Sequence, residues 1–211
     1  MRIVLTGGPS AGKTTLLELL HRQYADAVGV APEAASILFR GGFPRPQTSD
    51  DRAHTQRSIY ALQKELEASA LERSRGDVVF CDRGSLDGAS YWSGSVHEFA
   101  RAMDTTVERE LSRYAMVVHL ETAPEAMGYT LNDVRTETHA EASALDRRIG
   151  EIWSLHPNYH FVSNATAEGR PRGFVEKLNS ALLALRPHLP TDALVPRLRY
   201  ATAGDLLQAA P

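Results

Sequence analysis

The chain alternates short, largely apolar runs with longer stretches of helical spacing. Met1–Thr6, Val28–Ala31, Val78–Asp82, Met116–Leu120 and His160–Ser163 are the short runs. Met1–Thr6, apolar on both faces, and the buried run Val78–Asp82 read as strands of a parallel sheet covered by helices on both sides. Helical spacing predicts helices over Thr14–Tyr24, Ala34–Phe39, Arg52–Arg75, Val96–Arg113 and Phe174–Leu185. The longest carries Ile59, Leu62 and Leu66 on one face with charges opposite, and Pro187 and Pro190 end the last. This alternation predicts an α/β domain over residues 1–186 and a C-terminal tail over residues 187–211.

Between the first strand and the first helix stands Gly7-Gly8-Pro9-Ser10-Ala11-Gly12-Lys13-Thr14, spaced G-x-x-x-x-G-K-T. With those flanks the pattern reads as a phosphate-binding loop rather than a glycine-rich turn with a chance lysine. Backbone N–H groups meet phosphate oxygens only where the chain passes without Cβ atoms in the way. The helix opening at Lys13 adds its positive dipole end. Lys13 is placed for the β- and γ-phosphates, and the Thr14 hydroxyl for Mg²⁺. Gly8, Pro9, Ser10, Ala11, Gly12, Lys13, Thr14 and Thr15 are therefore the expected nucleotide-binding residues, and the ligand is a nucleoside triphosphate.

Further candidates lie beyond the carboxyl ends of the other strands, where open α/β sheets carry their sites. Glu33 follows the second strand, either as a functional carboxylate or as a helix-end acid favoured by the dipole. The third strand ends in Asp82-Arg83. Asp82 is placed to hold Mg²⁺ or its water, and Arg83 to face developing negative charge or fix a neighbouring carboxylate, against a plain strand-end salt bridge. Asp87 reads equally as a helix-start residue, and Tyr91 and Trp92 as base-stacking surfaces or as core. Gln56, Arg57, Tyr60 and Gln63 share parts of the long helix and face a ligand or solvent. The charged segment Gly128–Ile149, with Arg135, Arg147 and Arg148, reads as a lid over the triphosphate or as ordinary charged helix faces. His119 alternates with core positions and reads as a buried structural histidine. Asn164, after the fifth strand, is placed to border the nucleotide base.

Composition narrows the class without choosing the chemistry. The 211 residues are 43% hydrophobic and 23% charged, with a net charge of −3, as in an ordinary globular domain. That charge argues against a nucleic-acid or anionic-membrane surface. No apolar run approaches membrane-spanning length, and the short N-terminal run, leading straight into the phosphate loop, is not expected to be a secretory leader. One cysteine, Cys81, fits a reducing compartment, so a cytoplasmic protein is expected.

Together these residues resemble a known family. The phosphate loop, Pro32-Glu33-Ala34-Ala35, Phe80-Cys81-Asp82-Arg83-Gly84, Val134-Arg135-Thr136-Glu137, Leu145-Asp146-Arg147-Arg148-Ile149 and Trp153 look like the small P-loop AAA-domain family. It groups bacterial proteins of unassigned activity with the TRPL translocation defect proteins. It is related to the ribosylnicotinamide kinase domain and, more distantly, to deoxynucleoside and thymidylate kinases. The resemblance runs from Met1 to about Leu185 and implies a five-stranded parallel sheet of order 2-3-1-4-5, helices on both faces, and a helical lid. It lends Glu33 the role of base toward the attacking hydroxyl, and the Asp82-Arg83 pair support of Mg²⁺ and the acceptor. Arg135, Arg147 and Arg148 fall in the lid, with Arg147 in a catalytic role and Arg135 and Arg148 on the nucleotide, although their spacing departs from that of deoxynucleoside kinases. The TRPL-related proteins carry a further, phosphoinositide-linked domain for which this length leaves no room, so lipid binding is not expected.

Two functions follow as expectations. One is a kinase that moves the γ-phosphoryl of ATP, with GTP left open as donor, to a nucleoside-like small molecule. The other is an ATP- or GTP-binding module, non-catalytic or slowly hydrolysing, that signals occupancy to a partner. Glu33 favours the kinase, because a nucleotide sensor needs no base there. No Asn-Lys-x-Asp guanine-reading motif is present, which argues against a GTPase switch. A homodimer is compatible with either.

Overall fold

The protein, seen here in a computed structural model, is described over residues 1–124 and 138–190. The described residues hold five strands, β1 (Arg2–Thr6), β2 (Val28–Ala31), β3 (Val78–Asp82), β4 (Met116–Leu120) and β5 (Tyr159–Val162). They form one parallel sheet in the order β2-β3-β1-β4-β5, the predicted arrangement. The helices are α1 (Lys13–Tyr24), α2 (Ala34–Arg40), α3 (Ser49–Arg73), α4 (Val96–Ala102), α5 (Val107–Leu111), α6 (His139–Trp153) and α7 (Phe174–Leu185).

Successive residues of a strand point to opposite faces, and in the inner strands both faces are covered, whereas His160 and Phe161 of the edge strand β5 are exposed. Ile3 and Leu5 of β1 pack with Leu16 and Leu20 of α1 and Leu178, Leu182 and Leu185 of α7. Val4, between them, packs on the other face with Phe99 of α4, Leu111 of α5 and Ile149 and Trp153 of α6. Leu189, beyond the predicted boundary at residue 186, joins the first of these clusters. No helix of the described residues is long and apolar enough to cross a membrane.

Two predicted helices differ in ways that matter. The expected helix Val96–Arg113 is interrupted: Asp104 adopts φ 55°, and Thr106 starts α5 afresh by accepting from the Arg109 N–H at 3.2 Å. The Asp104-Thr105-Thr106 run offers side-chain hydrogen bonds that compete with helix continuation. In α3, which begins at a Thr48–Asp51 capping box, the buried stripe is polar. Gln56, Tyr60, Gln63 and Glu67 are buried, whereas Ile59, Leu62 and Leu66 are only half-buried.

The registers set the site. Leu5 pairs with Asp82, so the carboxyl end of β3 lies beside the entry to the phosphate loop. Ala31 pairs with Cys81, which brings Pro32-Glu33 beside Asp82-Arg83. The strand order reverses at β1, and the crevice outside the strand ends at that reversal is where open α/β sheets bind ligands.

Candidate active site

The phosphate loop wraps the start of α1 with two glycines in left-handed backbone. Gly7 has φ 127°, and a Cβ there would sit 2.0 Å from the Leu120 carbonyl oxygen. Gly12 has φ 98°, and a Cβ there would meet the Phe174 ring at 2.8 Å. Only glycine satisfies both demands. The N–H of Gly8 is directed inward, donating to Asp146 Oδ1 at 2.6 Å. Pro9 has no N–H to offer. Beyond Pro9 the loop continues through Ser10 and Ala11 into Gly12 and the start of α1 at Lys13, Thr14 and Thr15, and a helix start carries N–H groups without an intrahelical partner. Lys13 Nζ donates to the carbonyls of Gly7 and Gly8, both at 2.8 Å.

Next to this loop, Arg83 holds a strained and over-determined position. Its φ of 71° is unusual for a residue with a side chain. Its N–H donates to Leu5 O at 3.0 Å, and Gln63 Nε2 donates to its carbonyl at 3.0 Å. The guanidinium reaches Glu33 Oε1 at 2.7 Å through Nε, and Gly7 O at 3.2 Å and Asp87 Oδ1 at 3.3 Å through Nη1. Asp87 in turn accepts from the Thr6 hydroxyl, from Gly84 N at 2.6 Å and from Trp153 Nε1 at 3.3 Å. Arg83 thus binds together the ends of β1, β2 and β3.

Burial and charge act on these groups in opposite senses. Burial would lift the Glu33 carboxyl, but Arg83, the Ser36 hydroxyl and Lys13 outweigh it and hold the group at about 2. Asp82 moves the other way: burial, then Glu33 and Asp87, raise it despite Lys13 and Arg83. Burial and the Arg83 charge lower the Lys13 ammonium, opposed by Asp82, Glu33 and Asp87. Lys13, Glu33, Asp82, Arg83 and Asp87 thus act on one another, so an added charge is felt across the cluster.

Asp82 Oδ1 is buried without a hydrogen-bond partner, and the exposed Thr14 lines the same cavity. One orphaned carboxylate oxygen and one hydroxyl beside a phosphate loop fit Mg²⁺, which takes one or two protein oxygens and completes its shell with water and phosphate. Among the described residues no group of three or more His, Cys, Asp or Glu is arranged as a metal cage.

A cavity of about 810 Å³ opens from Lys13, Thr14, Glu33, Asp82 and Arg83. Gln56, Tyr60 and Gln63 form its α3 wall, and Tyr91 and Arg148 also line it. Arg57 faces a separate surface hollow instead. Trp92 packs edge-on against Phe99 at 5.7 Å. Of the two neighbouring arginines of α6, Arg148 lines the cavity and donates to Trp92 O at 2.8 Å. Arg147 is exposed and is not among the residues lining it. One residue shifts a side chain by about 100° around a helix, which separates the two. Arg135 lies outside the described residues. Asn164 donates from Nδ2 to Thr122 O at 2.7 Å, and its N–H donates to Glu121 Oε2 at 2.6 Å.

Two structural ties escaped the sequence reading. Gln63 joins the Arg83 carbonyl to Ala34 N, which it accepts at 3.4 Å, so it spans the residues on either side of the Glu33–Arg83 pair. His119, buried as expected, bonds Tyr159 OH at 2.7 Å and Asp146 Oδ1 at 2.9 Å. The signal for Asp146 was present: it shares a buried stripe with Ala142, Leu145, Ile149 and Trp153, and an acid on such a stripe needs partners.

Strand order, glycine loop and the acid–arginine pair beside it define the P-loop fold in its kinase-type arrangement. The chain belongs to the AAA-domain family, which matches residues 2–170. No curated protein matches it. Among solved structures it is similar to the thymidylate kinase of Candida albicans, at 12% identity, TM-score 0.61, covering 89% of this chain and 91% of that one. NadR in complex with NR is similar at 14% identity and TM-score 0.63, over 89% of this chain and 50% of that chain. NadR in complex with NAD and AMP-PNP is similar at 15% identity and TM-score 0.63, over 94% and 51%. The chain thus spans about half the length of NadR, and identities this low are a likeness of fold.

Proposed function

We propose that the protein is a Mg²⁺-dependent phosphotransferase that moves the γ-phosphoryl group of ATP to a hydroxyl of a nucleoside-like small molecule. The observation that carries this reading is the cavity: Glu33, Asp82 and Arg83 stand where it meets Lys13 and Thr14. A sensor of nucleotide alone has no use for a second compartment at that point. The AMP-PNP in the NadR complex favours ATP over GTP as donor.

The acceptor oxygen bonds to the γ-phosphorus as the bond from that phosphorus to the β–γ bridging oxygen breaks, and ADP leaves. The acceptor proton passes to the Glu33 carboxylate. The loop N–H groups and Lys13 hold the phosphates, and Arg148 is the α6 arginine that lines the same cavity. Thr14 and Asp82 would hold Mg²⁺, which when bound neutralises and aligns the β- and γ-phosphate oxygens. Arg83 keeps Glu33 ionised and aimed at the junction. Because little covalent work falls to the protein, positioning and charge stabilisation supply most of the rate. A cytoplasmic setting, where ATP and Mg²⁺ are plentiful and the buried Cys81 stays a thiol, suits this chemistry.

The test is to incubate the protein and Mg²⁺ with ATP or GTP against a panel of nucleosides, nucleotides and sugars, following diphosphate formation. Turnover stimulated by an acceptor supports the kinase. Tight nucleotide binding without stimulated turnover supports the occupancy-signalling module instead.

A further inference from the structure

The cavity is unevenly charged. At its inner end Lys13 and Arg83 are matched by Glu33, Asp82 and Asp87. At its outer end Arg40 closes α2, Arg45 stands in the following loop and Arg52 lies in the first turns of α3, and no carboxylate from these elements lines the space. The acid nearest in sequence is engaged elsewhere: Asp51 accepts from Gln47 N and Thr48 N. The Glu141 carboxylate, across the cavity, accepts from the N–H and hydroxyl of Thr138. Arg45 lies over the Phe39 ring at 4.5 Å. Arg40 and Arg52 make no ion pair among the described residues.

A second observation lies one turn along α3. Gln56, four residues after Arg52, shares its helix face and lines the same cavity. It is only 6% exposed, and its Oε1 is buried without a hydrogen-bond partner. Gly88 leaves room for it, since a Cβ there would sit 2.7 Å from that oxygen. A buried amide oxygen with no donor is costly unless a ligand supplies one.

Building on the kinase reading, we propose that the acceptor is a phosphate monoester. Its phosphate is held by Arg40, Arg45 and Arg52, an N–H or O–H group meets Gln56 Oε1, and the free hydroxyl lies at Glu33. Guanidinium forks match phosphate oxygens in pairs, and three of them favour a dianion over a monocarboxylate. The scale is consistent: α2 rises about 9 Å from Ala34 to Arg40, the span of a sugar with a ring attached. The bound phosphate is therefore the handle, and the distal hydroxyl receives the γ-phosphoryl group.

The test is a binding measurement, separate from turnover. With Mg²⁺ and AMP-PNP filling the phosphate loop, calorimetry follows inorganic phosphate, then matched pairs of nucleosides, their monophosphates and carboxylate analogues. Saturable binding of one phosphate is expected. The monophosphate should bind more tightly than its neutral partner by roughly 10-fold or more, the worth of one charged hydrogen bond, with the advantage shrinking as salt rises. Arg40→Ala with Arg52→Ala should remove that advantage, and Gln56→Leu should weaken the neutral and phosphorylated partners alike, each variant being checked for folding by its melting curve. The proposal is overturned by wild-type protein that binds no phosphate, by neutral or carboxylate members binding as tightly, or by the double variant keeping its preference. Phosphate binding without transfer to any acceptor counts against the kinase reading and leaves the anion site standing.

Discussion

Arg83 Nε donates to Glu33 Oε1 at 2.7 Å, and this contact sets how strong a base Glu33 can be. A carboxyl held at about 2 is ionised throughout the physiological range but weakly basic. In a loose transition state the acceptor proton leaves late, so a weak, well-aimed base suffices. Glu33→Gln should therefore lower acceptor phosphorylation by about 10²-fold, the low end for acid–base catalysis, with ATP affinity nearly unchanged. Single-turnover transfer at saturating ATP and acceptor checks this. An unchanged rate would leave Glu33 a helix-end carboxylate.

The same pair predicts an acid sensitivity. The folded pKa of Glu33 lies below its unfolded value of 4.5, so its stabilisation is complete above about pH 4.5 and is lost as pH falls toward about 2. The shift corresponds to roughly 3 kcal/mol at most. Urea midpoints of wild type and Glu33→Gln should converge as pH drops through that window. Parallel curves would show that the ion pair contributes no net stability.

For Asp82, whose Oδ1 is buried and unpartnered, Asp82→Asn should weaken Mg²⁺-dependent turnover on the order of 10–100-fold. Metal-free nucleotide binding should change little. Wild-type behaviour of the variant, or activity indifferent to chelator, would remove Asp82 from the metal.

The bond from Gly8 N to Asp146 Oδ1 joins the phosphate loop to α6 across 138 residues of sequence. Asp146→Ala leaves a buried N–H and His119 Nε2 without their acceptor, at a cost of about 1–3 kcal/mol, and should weaken ATP binding. Asp146→Asn keeps an acceptor oxygen and should retain most of both. Equal stability of the alanine variant, by urea unfolding, would contradict the tie.

Local pattern carried the reading of the sheet, because each buried strand is a short apolar run bounded by turn residues. The phosphate loop was legible because its signature lies within eight residues, although Leu120, Asp146 and Phe174, all distant in the chain, also shape it. Placement of the remaining residues depended on register. Glu33, Asp82 and Arg83 meet because Ala31 pairs with Cys81 and Leu5 with Asp82, which no one segment states. On α3, periodicity pointed at Ile59, Leu62 and Leu66, whereas tertiary structure buries Gln56, Tyr60, Gln63 and Glu67. A polar stripe is buried there because it finds partners far away in the chain: Glu67 accepts from Tyr114 OH at 2.8 Å and from Arg113 Nη2 at 2.6 Å. Between Arg147 and Arg148 the sequence had no means to choose, since only the roll of α6 decides which one faces the cavity.

Transfer of the γ-phosphoryl group, as against its hydrolysis or simple nucleotide binding, is read by ATP labelled in that group. With Mg²⁺ and an acceptor from the panel, wild-type protein should place label in the acceptor. Lys13→Ala, which lacks the point charge on the terminal phosphates, should lose nearly all transfer while remaining folded. Label released only as inorganic phosphate, or retained in ATP with every acceptor, would contradict the kinase reading, as would equal transfer by the Lys13→Ala variant.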